Sequence, residues 1–341
     1  MSTEFLVVER YLQDALQART LQVAFDIGVI DQLVDSGAIL KRQLFRNRAC
    51  DAAGADFLTQ VLVKAGVFRI DNSIVDLTPE FRTALKYREL LLTKLQFSEL
   101  VAADFFTRLP QLLSSSDEFM ATSKLFELFD YSRCYDVTPQ NCLQASRWMK
   151  LTTMLTRYEA PVCCDHFAFS DHQSMLDIGG NSGEFAVQAC RRAASLEATV
   201  ADLPVVCHVG ERHVSAFAEA SRIHFQPLHF IDDALPTGHD LITCKSVLHD
   251  WPDDLTEVIV KKCFHALPAN GRLLIFERQQ WDLDQYPMGY GLLPVLLFFR
   301  SYRQPEFYTK LLKAVGFEEV NVQIIALEVP FMLITAVTPR S

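Results

Sequence analysis

Met175-Leu-Asp-Ile-Gly-Gly-Asn-Ser-Gly-Glu184 sets the reading of this chain. An apolar run leads into a glycine turn, and the turn opens a helix. Glycine has no Cβ to hold a ligand away, so a turn of this kind at the carboxyl end of a parallel strand lets a ligand lie against backbone atoms. A second stretch, Ser246-Val-Leu-His-Asp-Trp251, places a histidine beside an aspartate after another apolar strand. An imidazole there is a natural proton acceptor near neutral pH. A nucleotide-like cofactor faced by a base points to an enzyme.

Outward from these stretches, the chain beyond residue 160 alternates strand and helix. Strands are expected at 174–178, 197–201, 223–226, 240–244 and 272–276, with helices at 184–194, 205–211, 253–266 and 305–315. Two last strands, 319–326 and 331–338, are close enough to pair antiparallel. Repeated β-α units imply a parallel sheet covered on both faces, an α/β fold. The first part reads as helices instead, followed by two short extended pieces, 67–70 and 74–77, joined by Asp71-Asn72-Ser73, a tight-turn chemistry. Helix, helix and hairpin make a winged-helix-like arrangement. A DNA-binding use is disfavoured against a dimerising or structural one, because Asp51, Asp56, Asp71 and Asp76 leave no basic face. The division expected is a helical, winged-helix-like dimerisation domain over 1–110, a helical connection contributing to the substrate pocket over 111–160, and a Rossmann-like catalytic domain over 161–341.

Bulk properties narrow the function classes. The 341 residues carry a formal charge of −10, which argues against nucleic acid as the main partner. A hydrophobic fraction of 50% implies an extensive core or a buried oligomer interface. The most suspicious apolar run, Gly291 to Phe299, is broken by Pro294 and is far shorter than the ~20 residues of a spanning helix. The start of the chain lacks a basic-then-apolar export pattern, so the expected location is cytoplasmic. Nine scattered cysteines with no C-x-x-C spacing read as reduced, buried thiols. Cys163-Cys164 beside His166 is only weakly metal-like, since Val162 and Phe167 look like packing, and no metal is expected.

The turn itself separates two kinds of cofactor. A dinucleotide fold wants G-x-G-x-x-G with the helix N-terminus bare for pyrophosphate. Here Asp177 ends the strand beside the turn. An anion there is unfavourable next to pyrophosphate and helpful next to a cation. Asp202, at the end of the next strand, can accept both hydroxyl protons of a ribose. A ribose with a positive charge and no phosphate describes S-adenosyl-L-methionine, and the nicotinamide reading is set behind it.

Leu176-Asp-Ile-Gly-Gly-x-Ser-Gly183, Ala201-Asp-Leu-Pro204, Leu248-His-Asp-Trp251, Ala266-Leu-Pro268 with Gly271, and Leu311-Leu-x-x-Ala-x-Gly-Phe317 stand in this order. The set resembles the S-adenosylmethionine-dependent O-methyltransferases of plant phenylpropanoid and bacterial natural-product pathways. The resemblance implies a class I methyltransferase sheet, a homodimer built on the N-terminal part, and an aromatic or heteroaromatic small-molecule acceptor, for which a bipyrrole pigment precursor is one candidate. It implies that Asp177, Gly179, Gly180, Gly183, Asp202, Leu203, His229, Phe230 and Lys245 hold the cofactor. His249 matches the general base, with Asp250 its neighbour and Glu277 the carboxylate that orients the imidazole. Trp148, Met149, Met288, Leu292, Phe298 and Tyr302 fall where the acceptor is bound, the segment Tyr286 to Arg300 being rich in Leu, Phe and Pro. The chain departs from the family at three places. Asn181 replaces the usual third glycine, His229 stands where an aspartate is usual near the adenine, and Tyr302-Arg303-Gln304 lacks the glutamate of a Glu-Arg-Thr. That third departure leaves room for a relative that uses the cofactor in hydroxylation or pericyclic chemistry, or for transfer to C or N.

Overall fold

The structure, a computed structural model, describes residues 3–286 and 288–340. Two compact units emerge: residues 3–116 with 288–297, and residues 117–286 with 298–340.

The first unit is mostly helical. Its helices include α1 (Ala15–Asp26), α2 (Val29–Ser36), α3 (Ala52–Lys64) and the long α4 (Arg88–Ser114). Asp51 caps α3 by accepting from the Gly54 amide, which satisfies a donor that the first turn cannot pair internally. The hairpin β1 (Phe68–Asp71) and β2 (Ile74–Leu77) turns through Asn72 and Ser73, both at positive φ (47° and 67°). That is the backbone twist a two-residue hairpin favours. Ile39 and Leu40 add a third, two-residue strand on β2.

In the second unit, short helical turns lead into the long α5 (Pro139–His166), started by a Thr138 cap and carrying Pro161 within it. There follow β3 (Ser174–Ile178), α6 (Glu184–Arg192), β4 (Glu197–Asp202), α7 (Pro204–Val214), β5 (Ile223–Pro227), β6 (Leu241–Lys245), α8 (Asp253–Ala266) and β7 (Arg272–Arg278). After α9 (Pro305–Val315), the chain ends in β8 (Glu318–Ala326) and β9 (Pro330–Val337). The sheet order is β5-β4-β3-β6-β7-β9-β8, parallel through β7, with β9 antiparallel to both its neighbours. The central strands are buried along nearly their whole length, as a sheet covered on both faces requires. Strand order reverses between β3 and β6, and in such sheets the crevice for a ligand opens at the carboxyl ends of the strands there. Asp177 lies next to the end of β3, and Lys245 ends β6.

Candidate active site

Asp177 is the penultimate residue of β3 and 1% exposed. Its Oδ1 accepts from Thr243 Oγ1 at 2.7 Å, across the β3–β6 register that pairs the two residues. Its Oδ2 is buried with no hydrogen-bond partner. Burial pushes this carboxyl up to about 7, the Thr243 bond opposing only in part. Gly179 follows at φ 63°, and a Cβ on Gly180 would lie 2.5 Å from Asp177 Oδ2 and 2.8 Å from Val200 Cγ1. A side chain there would fill the space over the carboxylate. Asn181 takes φ 56° in the place of a third glycine, a conformation asparagine tolerates. Its amide donates to Asp202 Oδ2 at 2.9 Å, while the Leu203 amide donates to Oδ1 at 2.8 Å. Asp202 is nevertheless raised to about 6 by burial. Gly183 caps α6 at φ 76°.

These features fit a nucleoside that bears a positive charge. The orphaned oxygen of Asp177 calls for a donor or a cation, the glycines leave backbone open beside it, and each Asp202 oxygen keeps a lone pair for a hydroxyl. His229 and Phe230 follow β5 as near-parallel rings, centroids 6.2 Å apart and planes 6° apart. Tyr135 lies 6.1 Å from the His229 ring, and Trp251 packs on Phe230 at 5.6 Å. His229 Nδ1 is 2.8 Å from an oxygen of Asp232, though not in line for a hydrogen bond.

Lys245 points its ammonium at α5, where Glu159 and Thr156 Oγ1 accept from it. Glu159 also accepts from Arg278 Nη2, which reaches Glu328 at 3.0 Å. This buried network of alternating charges escaped the sequence reading. Its one local signal was an acidic residue among apolar neighbours at Ala160-Pro-Val-Cys-Cys164.

His249 occupies a single 3-10 turn, Leu248–Asp250, just beyond β6. Its Nδ1 is 3.0 Å from Oε2 of Glu277 on β7, and the Arg278 amide donates to Glu277 Oε1 at 2.9 Å. A carboxylate holding Nδ1–H leaves Nε2 as the basic nitrogen. Burial disfavours a charged imidazole, but Glu277 and Asp250 outweigh it and raise the His249 pKa. Burial would likewise raise Glu277, yet His249 and the Arg278 amide hold it below the usual carboxylate range. Asp250 Oδ1 lies 3.4 Å from His249 Nε2.

The residues expected to bind the acceptor fall into three places. Phe298 and Tyr302 flank the imidazole, with ring centroids at 5.6 and 5.2 Å. Trp148 and Met149 of α5 are buried in an apolar cluster with Cys134, Cys142, Val205 and Val206, Trp148 also meeting Phe129 and Tyr131. Met288 and Leu292 belong to the helical unit, the first exposed and the second buried.

The O-methyltransferase domain family matches residues 123–318, more than half of the chain. The 3-hydroxy-5-methyl-1-naphthoate 3-O-methyltransferase of Streptomyces sahachiroi is 33% identical over 151 residues, covering 43% of this chain and 44% of the relative. The demethylspheroidene O-methyltransferase of Rhodobacter capsulatus is 31% identical over 157 residues, covering 44% and 38%. The matches thus span less than half the length of these relatives. The crystal structure of human N-acetylserotonin methyltransferase, in complex with S-adenosylmethionine, has the same fold, with a TM-score of 0.74 at 21% identity over 95% of this chain and 94% of that one. By the family pattern that covers the parallel strands of its sheet and both of its motif turns, the chain belongs to the S-adenosylmethionine-dependent O-methyltransferase family.

Proposed function

We propose that this chain transfers a methyl group from S-adenosylmethionine to a hydroxyl of a small, apolar aromatic or heteroaromatic acceptor. The observation that carries this reading is the pairing of His249 Nδ1 with buried Glu277, one strand away from the unsatisfied oxygen of Asp177. When bound, the cofactor supplies an electrophilic methyl on a cationic sulfur. Asp177 and Asp202 would hold its charge and its ribose. A phenol has a pKa of about 10, so little of it is ionised at neutral pH. His249 Nε2 would take the acceptor's proton as the oxygen becomes nucleophilic, a role worth about 10²–10⁴ in rate. Glu277 stabilises the imidazolium that results. Phe298 and Tyr302 offer flat apolar faces beside the base, which suit a ring rather than a sugar.

The aromatic acceptors named for the naphthoate relative favour the same class, and a bipyrrole pigment precursor belongs in it. The helical unit serves dimerisation in this reading, and Trp148 and Met149 support the cofactor side of the acceptor pocket.

The test incubates the full chain with labelled S-adenosylmethionine and a panel of phenols, hydroxylated heteroaromatics, a hydroxylated bipyrrole, and sugars. Products are read by mass spectrometry together with S-adenosylhomocysteine release. Gain of one methyl by an aromatic hydroxyl, matched by S-adenosylhomocysteine, supports the reading. Transfer only to sugars or charged metabolites overturns the acceptor class, and consumption of an acceptor without S-adenosylhomocysteine overturns methyl transfer itself.

A further inference from the structure

The turn that carries His249 is weakly held by its own backbone. Leu248–Asp250 closes on two long bonds, Asp250 N to Val247 O and Trp251 N to Leu248 O, both 3.3 Å. The residues on either side are clasped from elsewhere. Arg303, beyond β7 and just before α9, sends Nη1 to Leu248 O at 3.0 Å and Nη2 to Trp251 O at 2.5 Å. Its Nε donates to Asp253 Oδ1 at 2.8 Å, on the first residue of α8. The guanidinium lies over the Phe307 ring at 4.8 Å, and the side chain is 10% exposed. The Arg303 backbone is itself tethered, its carbonyl accepting from Gln280 N at 3.1 Å, two residues past the end of β7. Glu277, the partner of His249, lies three residues before Gln280.

We propose that Arg303 is a positioning residue for the reaction. Its guanidinium clasps the carbonyls on both sides of His249 and thereby sets the imidazole in line with Glu277. The inference rests on the base role proposed above. A guanidinium suits the task because its donors form a rigid fork, and the two carbonyls lie three residues apart along one turn. An ammonium carries the same charge but cannot take both carbonyls and Asp253 in that geometry. Thr256 Oγ1, on α8, lies near the same two carbonyls, Leu248 O at 3.4 Å and Trp251 O at 3.2 Å, but a hydroxyl has one proton to share between them and no charge.

Position and charge predict opposite signs, which makes the idea testable. Removing a nearby cation would, by Coulomb's law alone, make His249 easier to protonate. Losing alignment with Glu277 would make it harder. Glu277, Asp250 and Arg278 set the imidazole's protonation and the Tyr302 ring flanks it, and none of them is altered.

The experiment titrates the full chain with isotope-labelled histidines by NMR, the His249 signal being the one lost in His249→Gln. Arg303→Lys and Arg303→Gln are expected to lower the His249 midpoint by about half a unit or more. With an acceptor in hand, kcat falls about tenfold to a hundredfold, as small misplacements of catalytic groups do, while S-adenosylhomocysteine affinity stays within about twofold. Should Arg303→Gln fail to fold, Arg303→Lys decides alone, since its charge is unchanged and any fall is positional. A midpoint that stays put or rises in a folded variant overturns the proposal, even if thermal stability drops. The titration needs neither donor nor acceptor, so failure of the methyl-transfer reading leaves it interpretable.

Discussion

Asp177 and Glu277 stand on the two strands that flank β6, and each is 1% exposed. Their protonation runs in opposite directions. Asp177 is pushed up to about 7 by burial, with Thr243 as its one hydrogen-bond partner among the described residues. Glu277 suffers the same burial yet is lowered, because His249 and the Arg278 amide each take one of its oxygens. A buried carboxylate without a counter-charge is costly, and it neutralises itself or finds a cation. Glu277 finds its cation inside the chain. Asp177 has half of its hydrogen-bonding capacity unmet, so its side of the crevice is built to be completed by a ligand.

Under the proposed function, that asymmetry would give catalysis to one side and affinity to the other. His249→Gln is expected to lower turnover by about 10²–10⁴, while calorimetry finds S-adenosylmethionine affinity unchanged. Loss of cofactor binding in a folded His249→Gln protein would show that the two sides are not separable, and turnover within tenfold of the parent would remove the imidazole from the mechanism.

Asp177→Asn reaches the other side with a smaller effect. The amide keeps an acceptor for Thr243 and removes the charge. Hydrogen bonds to charged groups are worth about 1.5–3 kcal/mol, so the cofactor should bind roughly tenfold to a hundredfold more weakly. The ligand-free protein should melt higher at pH 8, because no charge is left buried. Unchanged affinity, or a lower melting temperature without ligand, would deny Asp177 the part of an unfilled anion.

The two sides also differ in how far the sequence reveals them. The cofactor side is short-range: strand, glycines, Asn181 and cap all fall within Asp177–Gly183, and Asp202 ends the very next strand. Backbone requirements of that kind leave residue types behind at fixed spacing, so the pattern can be read directly. His249 was legible for the same reason. What orients and supports it was only partly so. Glu277 could be placed at the end of a strand, but Arg303 is separated from its carbonyl partners by more than fifty positions, and Glu159 from Arg278 by 119. Side-chain contacts between distant segments impose no local period. Apolar residues are ambiguous in another way. The run Tyr286 to Arg300 reads as one lining segment, yet residues 288–297 belong to the helical unit and Phe298 to the sheet unit. Leucine and phenylalanine look alike whichever core they enter.

The smallest expected effect is the proton that Asp177 gives up. With a folded-state value of about 7 against an ordinary 3.8, the ligand-free protein holds a proton there that the unfolded chain has already lost. Stability from this group is therefore greatest below the ordinary carboxylate range and is lost as pH rises towards about 7. A cation binds only the ionised form well, so cofactor affinity should climb between pH 5 and 7 and level off above. Binding near pH 6 should release a proton, measurable by calorimetry in buffers of different ionisation heat. Thr243 and Lys245 face the same carboxyl, and so does Asp202, which is itself raised to about 6 and titrates across the same range. His249, whose pKa is raised by Glu277 and Asp250, also loses a positive charge as pH rises, and that too would favour a cation. The titration is therefore made in the His249→Gln background, where Asp177→Asn should make the affinity profile shallower and reduce the released proton to the part that Asp202 contributes. Proton release that Asp177→Asn leaves undiminished would place the titrating group elsewhere, and Asp177 would then be ionised before any ligand arrives.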